Sequence, residues 1–266
     1  MGEVVDDAAS DEPVLIEWED PGIAVVTFNR PDRHNAFTDA SDRRLFAILR
    51  ELVATDDLRC VVIRGAGRSF SSGRDTAELG IRPDGVSDYD YIGAGHAGTR
   101  LLLELRCPTI AALKGWTLGG SFERALLCDL RIAAADTRMA LPEVGHGVIP
   151  DSAGVARLFQ MAGHGLAADL ALTGRVMDAA EALQHGIVSR VVPTEDLDDE
   201  VMDVAREIAS RPPLAVALAK QTITALADPA VRATLEREHL AQTVVMASPD
   251  YLAAKAVRAA GGHTHG

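Results

Sequence analysis

Short apolar runs alternate with amphipathic stretches through the first half of the chain, and helical periodicity takes over in the second. Residues 14–19 and 23–28 pattern as a strand pair around the turn Asp20-Pro21-Gly22. Asn29-Arg30-Pro31 ends the second strand. Leu45, Leu49 and Leu52 fall on one face of a predicted helix over residues 38–54, with Thr38 as its N-cap. Cys60-Val61-Val62-Ile63 and Thr109–Leu113 are continuous apolar runs, as expected of strands buried on both faces. A turn at Gly119-Gly120 leads into a helix through Leu127, and Leu130–Ala134 returns to strand. Between Ile81 and Gly95, Pro83, glycines and aspartates break any period, which predicts a mobile loop beside a site, with helix resuming over 97–105.

After Ser152 the reading is helical: 153–173, 178–185, 196–210, 213–227, 229–247 and 249–260, punctuated at Val192-Pro193-Thr194 and Arg211-Pro212-Pro213. The fold class is therefore α/β with a helical C-terminal portion. Four segments are expected: a disordered acidic arm over 1–12, an α/β core over 13–195, a helical region over 196–260 and a flexible tail over 261–266. His263 and His265 in that tail read as part of a frayed end.

Composition narrows the function. With aromatics at 4 %, the core must be built from Ala, Leu, Val and Ile. A net charge of -13 argues against nucleic acid and against an anionic membrane surface as partners. Cys60, Cys107 and Cys128 are too few and too dispersed for a disulfide framework or a metal knuckle, so buried free thiols and a reducing cytoplasm are expected. The first 20 residues carry eight acidic and no basic side chains, the opposite of a secretory leader. No apolar stretch reaches the roughly 20 residues of a membrane-spanning helix.

Three motifs carry candidate chemistry. Gly65, Gly67 and Gly73 surround the turn Phe70-Ser71-Ser72-Gly73-Arg74-Asp75, whose amides could face an anion. Gly119-Gly120-Ser121-Phe122-Glu123 opens a helix, where unpaired amides at the positive end of the dipole suit an enolate-like oxygen. Pro142-Glu143 adds a second carboxylate, with His146 and Asp151 close behind. Singly, each motif also reads as an ordinary turn, a packing glycine or a helix-start carboxylate. Asp151 is good capping chemistry for a helix starting near Ser152.

In this order the motifs resemble the crotonase superfamily, the enoyl-CoA hydratases and isomerases. Asn29 through Ala36 looks like the family's early CoA-contacting segment. Phe70–Asp75 resembles its first oxyanion turn, Leu118–Glu123 with Cys128-Asp129 the second, and Pro142-Glu143 with Gly147–Pro150 the second glutamate segment. Leu172-Thr173-Gly174 and Ala182–Ser189 resemble later landmarks.

The resemblance implies a spiral of ββα turns followed by a helical trimerisation region, and a homo-oligomer, either a trimer or a hexamer built as a dimer of trimers. It implies that the amides of Arg74 and Gly120 hold the thioester oxygen and that Glu123 and Glu143 are the acid/base pair. Arg33 and His34, with Ser72 and Asp75 of the first turn, are the expected CoA contacts. The substrate is an acyl-CoA, and neither a metal nor a separate cofactor is expected.

The chain departs from the family pattern at Ser121, where a third glycine is common, and at its C-terminus, which lacks the usual phenylalanine- and lysine-rich ending. Asp151 stands where hydratases usually carry glycine and some isomerases an aspartate. Hydration of 2-enoyl-CoA to 3-hydroxyacyl-CoA is the expected reaction. The alternatives are double-bond isomerisation through Glu143 or Asp151, and a non-catalytic acyl-CoA-binding paralogue.

Overall fold

The computed structural model describes residues 11–260, with the acidic arm lying largely, and the tail entirely, outside them. The first half contains β1 (Val14–Glu19), β2 (Ile23–Phe28), α1 (Asp39–Val53), β3 (Cys60–Gly65), α2 (Asp88–Glu104), β4 (Thr109–Leu113), β5 (Trp116–Leu118) and α3 (Gly119–Leu127). Next come β6 (Leu130–Ala134), β7 (Arg138–Ala140), α4 (Gly154–Thr173), β8 (Met177–Asp178), α5 (Ala179–Gln184) and β9 (Arg190–Val192). The chain ends in α6 (Leu197–Ala209), α7 (Pro213–Met246) and α8 (Pro249–Ala260).

Six strands form the main sheet in the order β1-β2-β3-β4-β6-β9, and β5-β7-β8 form a second. Only β1 runs antiparallel to its neighbour in the main sheet. The unbroken apolar runs now have a reason. Ala24, Val26, Val61 and Ile63 point into one core with Leu45, Leu49 and Leu52 of α1. Ile23, Val25, Cys60 and Val62 point the other way, under Leu197, Val201 and Ala205 of α6. Both faces are covered, so alternation is lost. Thr38 caps α1 as expected, in a reciprocal capping box with Ser41. Cys60, Cys107 and Cys128 are buried and free.

Three expectations need correction. The segment read as a loop through Gly95 becomes helix at Asp88, where the Ser87 hydroxyl accepts the Asp90 N–H. Two glycines of α2 serve packing: a Cβ at Gly98 would lie 1.9 Å from the Phe46 ring, and Gly93 faces His239 of α7. The two helices read on either side of residue 228 are one, with Pro229 inside α7. The region after Ser152 is not wholly helical, because β8 joins the second sheet and β9 the main one. Strands of two and three residues are too short for a period to register.

Candidate active site

The loop after β3 lies alongside β5 and the start of α3. Ser71 N–H donates to the Trp116 carbonyl at 3.0 Å, and Leu118 N–H donates to the Ser71 carbonyl at 2.9 Å. The Ser71 hydroxyl donates to the Asn35 carbonyl, so the Ser121 hydroxyl, 2.8 Å away, is the donor between the two serines. Ser121 thus ties the two turns together where a glycine could not.

Each turn presents a spare amide. Phe37 N–H donates to Gly73 and Asp75 N–H donates to Phe37, and the intervening Arg74 N–H points to the other side of the extended strand. Gly120 lies in the first turn of α3, whose amides have no intrahelical acceptor. Neither amide has an acceptor among the described residues. The Arg74 guanidinium fans onto Asp39, Asp42 and Tyr91, which holds its backbone in place. Arg74 and Gly120 both line a cavity of about 460 Å3.

Carboxyl groups cluster at this cavity. Glu143 sits at the start of a 3-10 turn, Glu143–His146. Gly119 has φ of +56°, and a side chain there would come within 2.8 Å of Glu143 Oε1, so only glycine satisfies both demands. Glu143 Oε2 is buried with no hydrogen-bond partner. Glu143 and Asp151 both line the cavity. Burial pushes the Glu143 carboxyl up to about 7, with Asp151 adding to the shift. Burial likewise pushes Asp151 up to about 7, helped by the charge of Asp42.

Glu123 is placed differently. It is fully buried and absent from the cavity wall. Its Oε1 accepts the N–H groups of Ser152 and Gly154 at 3.1 and 3.0 Å, and its Oε2 accepts that of Asp151 at 3.2 Å. It therefore caps α4, whose own N-cap residue, Ala153, makes no side-chain bond. The approach is close: a Cβ at Gly154 would lie 2.4 Å from the Glu123 Cβ. Burial raises the Glu123 carboxyl well above its ordinary range, with Glu143, Glu238 and Asp151 pushing the same way and the Ser152 amide opposing them.

Glu238 completes the cluster from α7. Its Oε2 accepts the Ala153 N–H at 2.7 Å, and burial lifts its carboxyl to about 8. Nothing in the motifs pointed to it. The available signal was its place on a stripe of Val231, Leu235, Gln242 and Met246, a polar residue at core spacing on a long helix.

The remaining site residues named from sequence lie away from this cavity wall. Arg33 is exposed in a short 3-10 turn. The His34 ring bonds Ser69 and Arg68, with burial and the Arg68 charge lowering its pKa. Ser72 N–H donates to the His34 carbonyl, and Asp75 pairs with Arg30 at 3.3 Å. These four residues gather around the loop after β2. The His146 pKa is lowered by burial and by Arg258, and its carbonyl accepts from Arg258 at 2.6 Å. The unusual C-terminal helix α8 reaches the cavity through Tyr251, and its Lys255 ammonium donates to the Gly80 carbonyl at 2.8 Å.

Residues 19–251 match the family model described as enoyl-CoA hydratase/isomerase. A short-chain-enoyl-CoA hydratase of Clostridium acetobutylicum is 36 % identical, over 79 % of this chain and 80 % of that protein. Among solved structures, an enoyl-CoA hydratase from Mycobacterium avium subsp. paratuberculosis superposes with a TM-score of 0.84 at 28 % identity, covering 93 % of this chain and 99 % of its own. An enoyl-CoA hydratase/isomerase from Xanthobacter autotrophicus gives 0.84 at 30 % identity and 94 % coverage of both.

Proposed function

The chain belongs to the enoyl-CoA hydratase/isomerase family, a member of the crotonase superfamily, and from that premise we propose that it hydrates 2-enoyl-CoA thioesters. The observation that carries this reading is the meeting of two spare amides and the carboxyl groups of Glu143 and Asp151 on one cavity wall. The thioester oxygen accepts from the Arg74 and Gly120 N–H groups. Attack of water at the β-carbon moves the electron pair of the double bond toward that oxygen, where preorganised donors stabilise the charge. In comparable holes one such donor contributes about 3–4 kcal/mol.

Water addition needs one carboxylate to take a proton from water and one carboxylic acid to deliver a proton to the α-carbon. Glu143 and Asp151, both raised to about 7, are suited to stand in opposite protonation states at neutral pH. Glu123 secures the backbone of residues 151–154 behind them. No electron leaves or enters the substrate, so the reaction requires no redox group. Arg33 supplies positive charge for the CoA phosphates, and His34 beside it, its ring held toward the neutral form by burial and by Arg68, contributes a hydrogen bond.

A second reading is favoured by one observation, the presence of Asp151 rather than Glu123 on the cavity wall. Glu143 and Asp151 could instead shuttle a proton between carbons of the acyl group and move the double bond. Incubation with 2-enoyl- and 3-enoyl-CoAs separates the two. A product heavier by one water marks the hydratase, and an unchanged mass with a shifted double bond marks the isomerase.

A homo-oligomer, trimeric or hexameric, belongs to the same proposal. Leu218, Ile223, Leu226, Leu240 and Val244 leave the apolar flank of α7 exposed. Among the described residues no helix is long and apolar enough to cross a membrane.

A further inference from the structure

Ser152 follows Asp151 on the cavity wall, and the mechanism above does not use its side chain. Two serines line the cavity. Ser121 shares its hydroxyl with Ser71 at 2.8 Å, whereas the Ser152 hydroxyl makes no hydrogen bond among the described residues. Ser152 is half-buried, and its oxygen is not one of the unpartnered polar atoms sealed from solvent. Its lone pairs are uncommitted and open to a ligand.

The position is close to the reacting atoms. A Cβ at Gly120 would lie 3.9 Å from Ser152 Oγ, and one at Gly119 would lie 2.8 Å from Glu143 Oε1. Both oxygens therefore lie beside the glycine pair whose second amide, in the reading above, holds the thioester oxygen. The β-carbon is only three bonds from that oxygen, so a water attacking it falls in the same neighbourhood.

The frame under Ser152 is fixed. Its N–H and that of Gly154 donate to Glu123 Oε1, the Asp151 N–H donates to Glu123 Oε2, and the Ala153 N–H donates to Glu238. Ala153 has φ of +64°, a left-handed conformation that persists in a residue with a side chain only where its surroundings impose it. The Ser152 backbone is thereby held in place, and only its χ1 remains to be set.

A water adding to the β-carbon must aim a lone pair at carbon while both of its hydrogens are held. One hydrogen passes to the carboxylate of Glu143 or Asp151. The other stays on oxygen and needs an acceptor that does not remove it. The second carboxyl group is unsuited, because it is protonated to serve the α-carbon. A serine oxygen accepts such a hydrogen bond without taking the proton.

We propose that Ser152 Oγ accepts this retained hydrogen and so orients the attacking water, and that it accepts the same hydrogen from the 3-hydroxyl of the product. This rests on the hydratase reading. The water oxygen bonds the β-carbon and the π pair moves to the thioester oxygen. One water proton passes to the carboxylate, and the carboxylic acid protonates the α-carbon as the electron pair returns. Ser152 exchanges no proton.

Ser152→Ala should lower hydration kcat by about tenfold or more and leave KM for the 2-enoyl thioester nearly unchanged, because the lost bond is not made to that substrate. Ser152→Thr keeps a hydroxyl and should recover most of the rate. Calorimetry reads the contact without chemistry, in a Glu143→Gln background that stops turnover. There Ser152→Ala should weaken 3-hydroxyacyl-CoA binding by about fivefold and leave the saturated acyl-CoA of the same length unaffected. Unchanged kcat, or equal weakening of both thioesters, overturns the proposal. If the wild type adds no water, the hydratase reading fails and calorimetry alone decides: selective weakening sustains the 3-hydroxyl contact, and no selectivity rejects it. If Ser152→Ala does not fold, Ser152→Gly removes the same hydroxyl and is read the same way.

Discussion

Glu123 and Glu143 carry the same functional group in opposite circumstances. Glu143 has an oxygen with no partner and a face on the cavity, while both Glu123 oxygens are taken by amides. Glu143→Gln should therefore lower kcat by about 100-fold or more, the lower range for lost acid–base catalysis, with little change in melting temperature. Near-wild-type turnover of the purified variant would remove Glu143 from the mechanism. Glu123→Gln should behave otherwise, because its NH2 would face a backbone donor. It should lose about 1–3 kcal/mol of stability in urea titration, whatever it does to turnover. Equal stability of the wild type and Glu123→Gln would mean that the capping geometry contributes nothing.

Helix α4 has no N-cap side chain of its own and borrows acceptors from α3 and α7. Glu238→Ala should cost about 1–3 kcal/mol by leaving the buried Ala153 N–H unpaired, whereas Glu238→Gln keeps an acceptor and should cost much less. Thermal denaturation of the two variants side by side checks this. The same borrowing explains what sequence could and could not reveal. The main strands and α1 were legible because continuous apolar runs and the Thr38 cap are local signals. The glycine turns and Glu143 were legible through their ordered motifs. The start of α2 was not, because Gly93 looks like a breaker until His239 is packed against it. Glu238 was hidden for a related reason: a polar residue on an apolar stripe acquires meaning only from what the other helices bring to it.

Across the whole molecule the buried acids impose a pH dependence on stability. Glu143 and Asp151 titrate at about 7 and Glu238 at about 8 when folded, against ordinary values of 4.5, 3.8 and 4.5. Over that interval the folded state binds more protons than the unfolded state, so stability falls as pH rises. The protein should be more resistant to urea at pH ~5 than at pH ~8, and Glu238→Gln should flatten the difference. A midpoint that climbs from the lower pH to the higher would contradict the cluster's protonation.

The Glu238–Ala153 hydrogen bond also joins two parts of the molecule with different neighbours. At one end is the backbone next to Asp151; at the other is α7, whose outer flank presents Leu218, Ile223, Leu226, Leu240 and Val244 to its surroundings. If subunits assemble through that flank, assembly stiffens α7 and with it the loop that sets the acid/base geometry. Specific activity should then decline on dilution through the concentration range in which light scattering records dissociation, and Glu238→Ala should decouple the two curves. The enzyme would sense its own concentration through a single hydrogen bond, without any dedicated effector site.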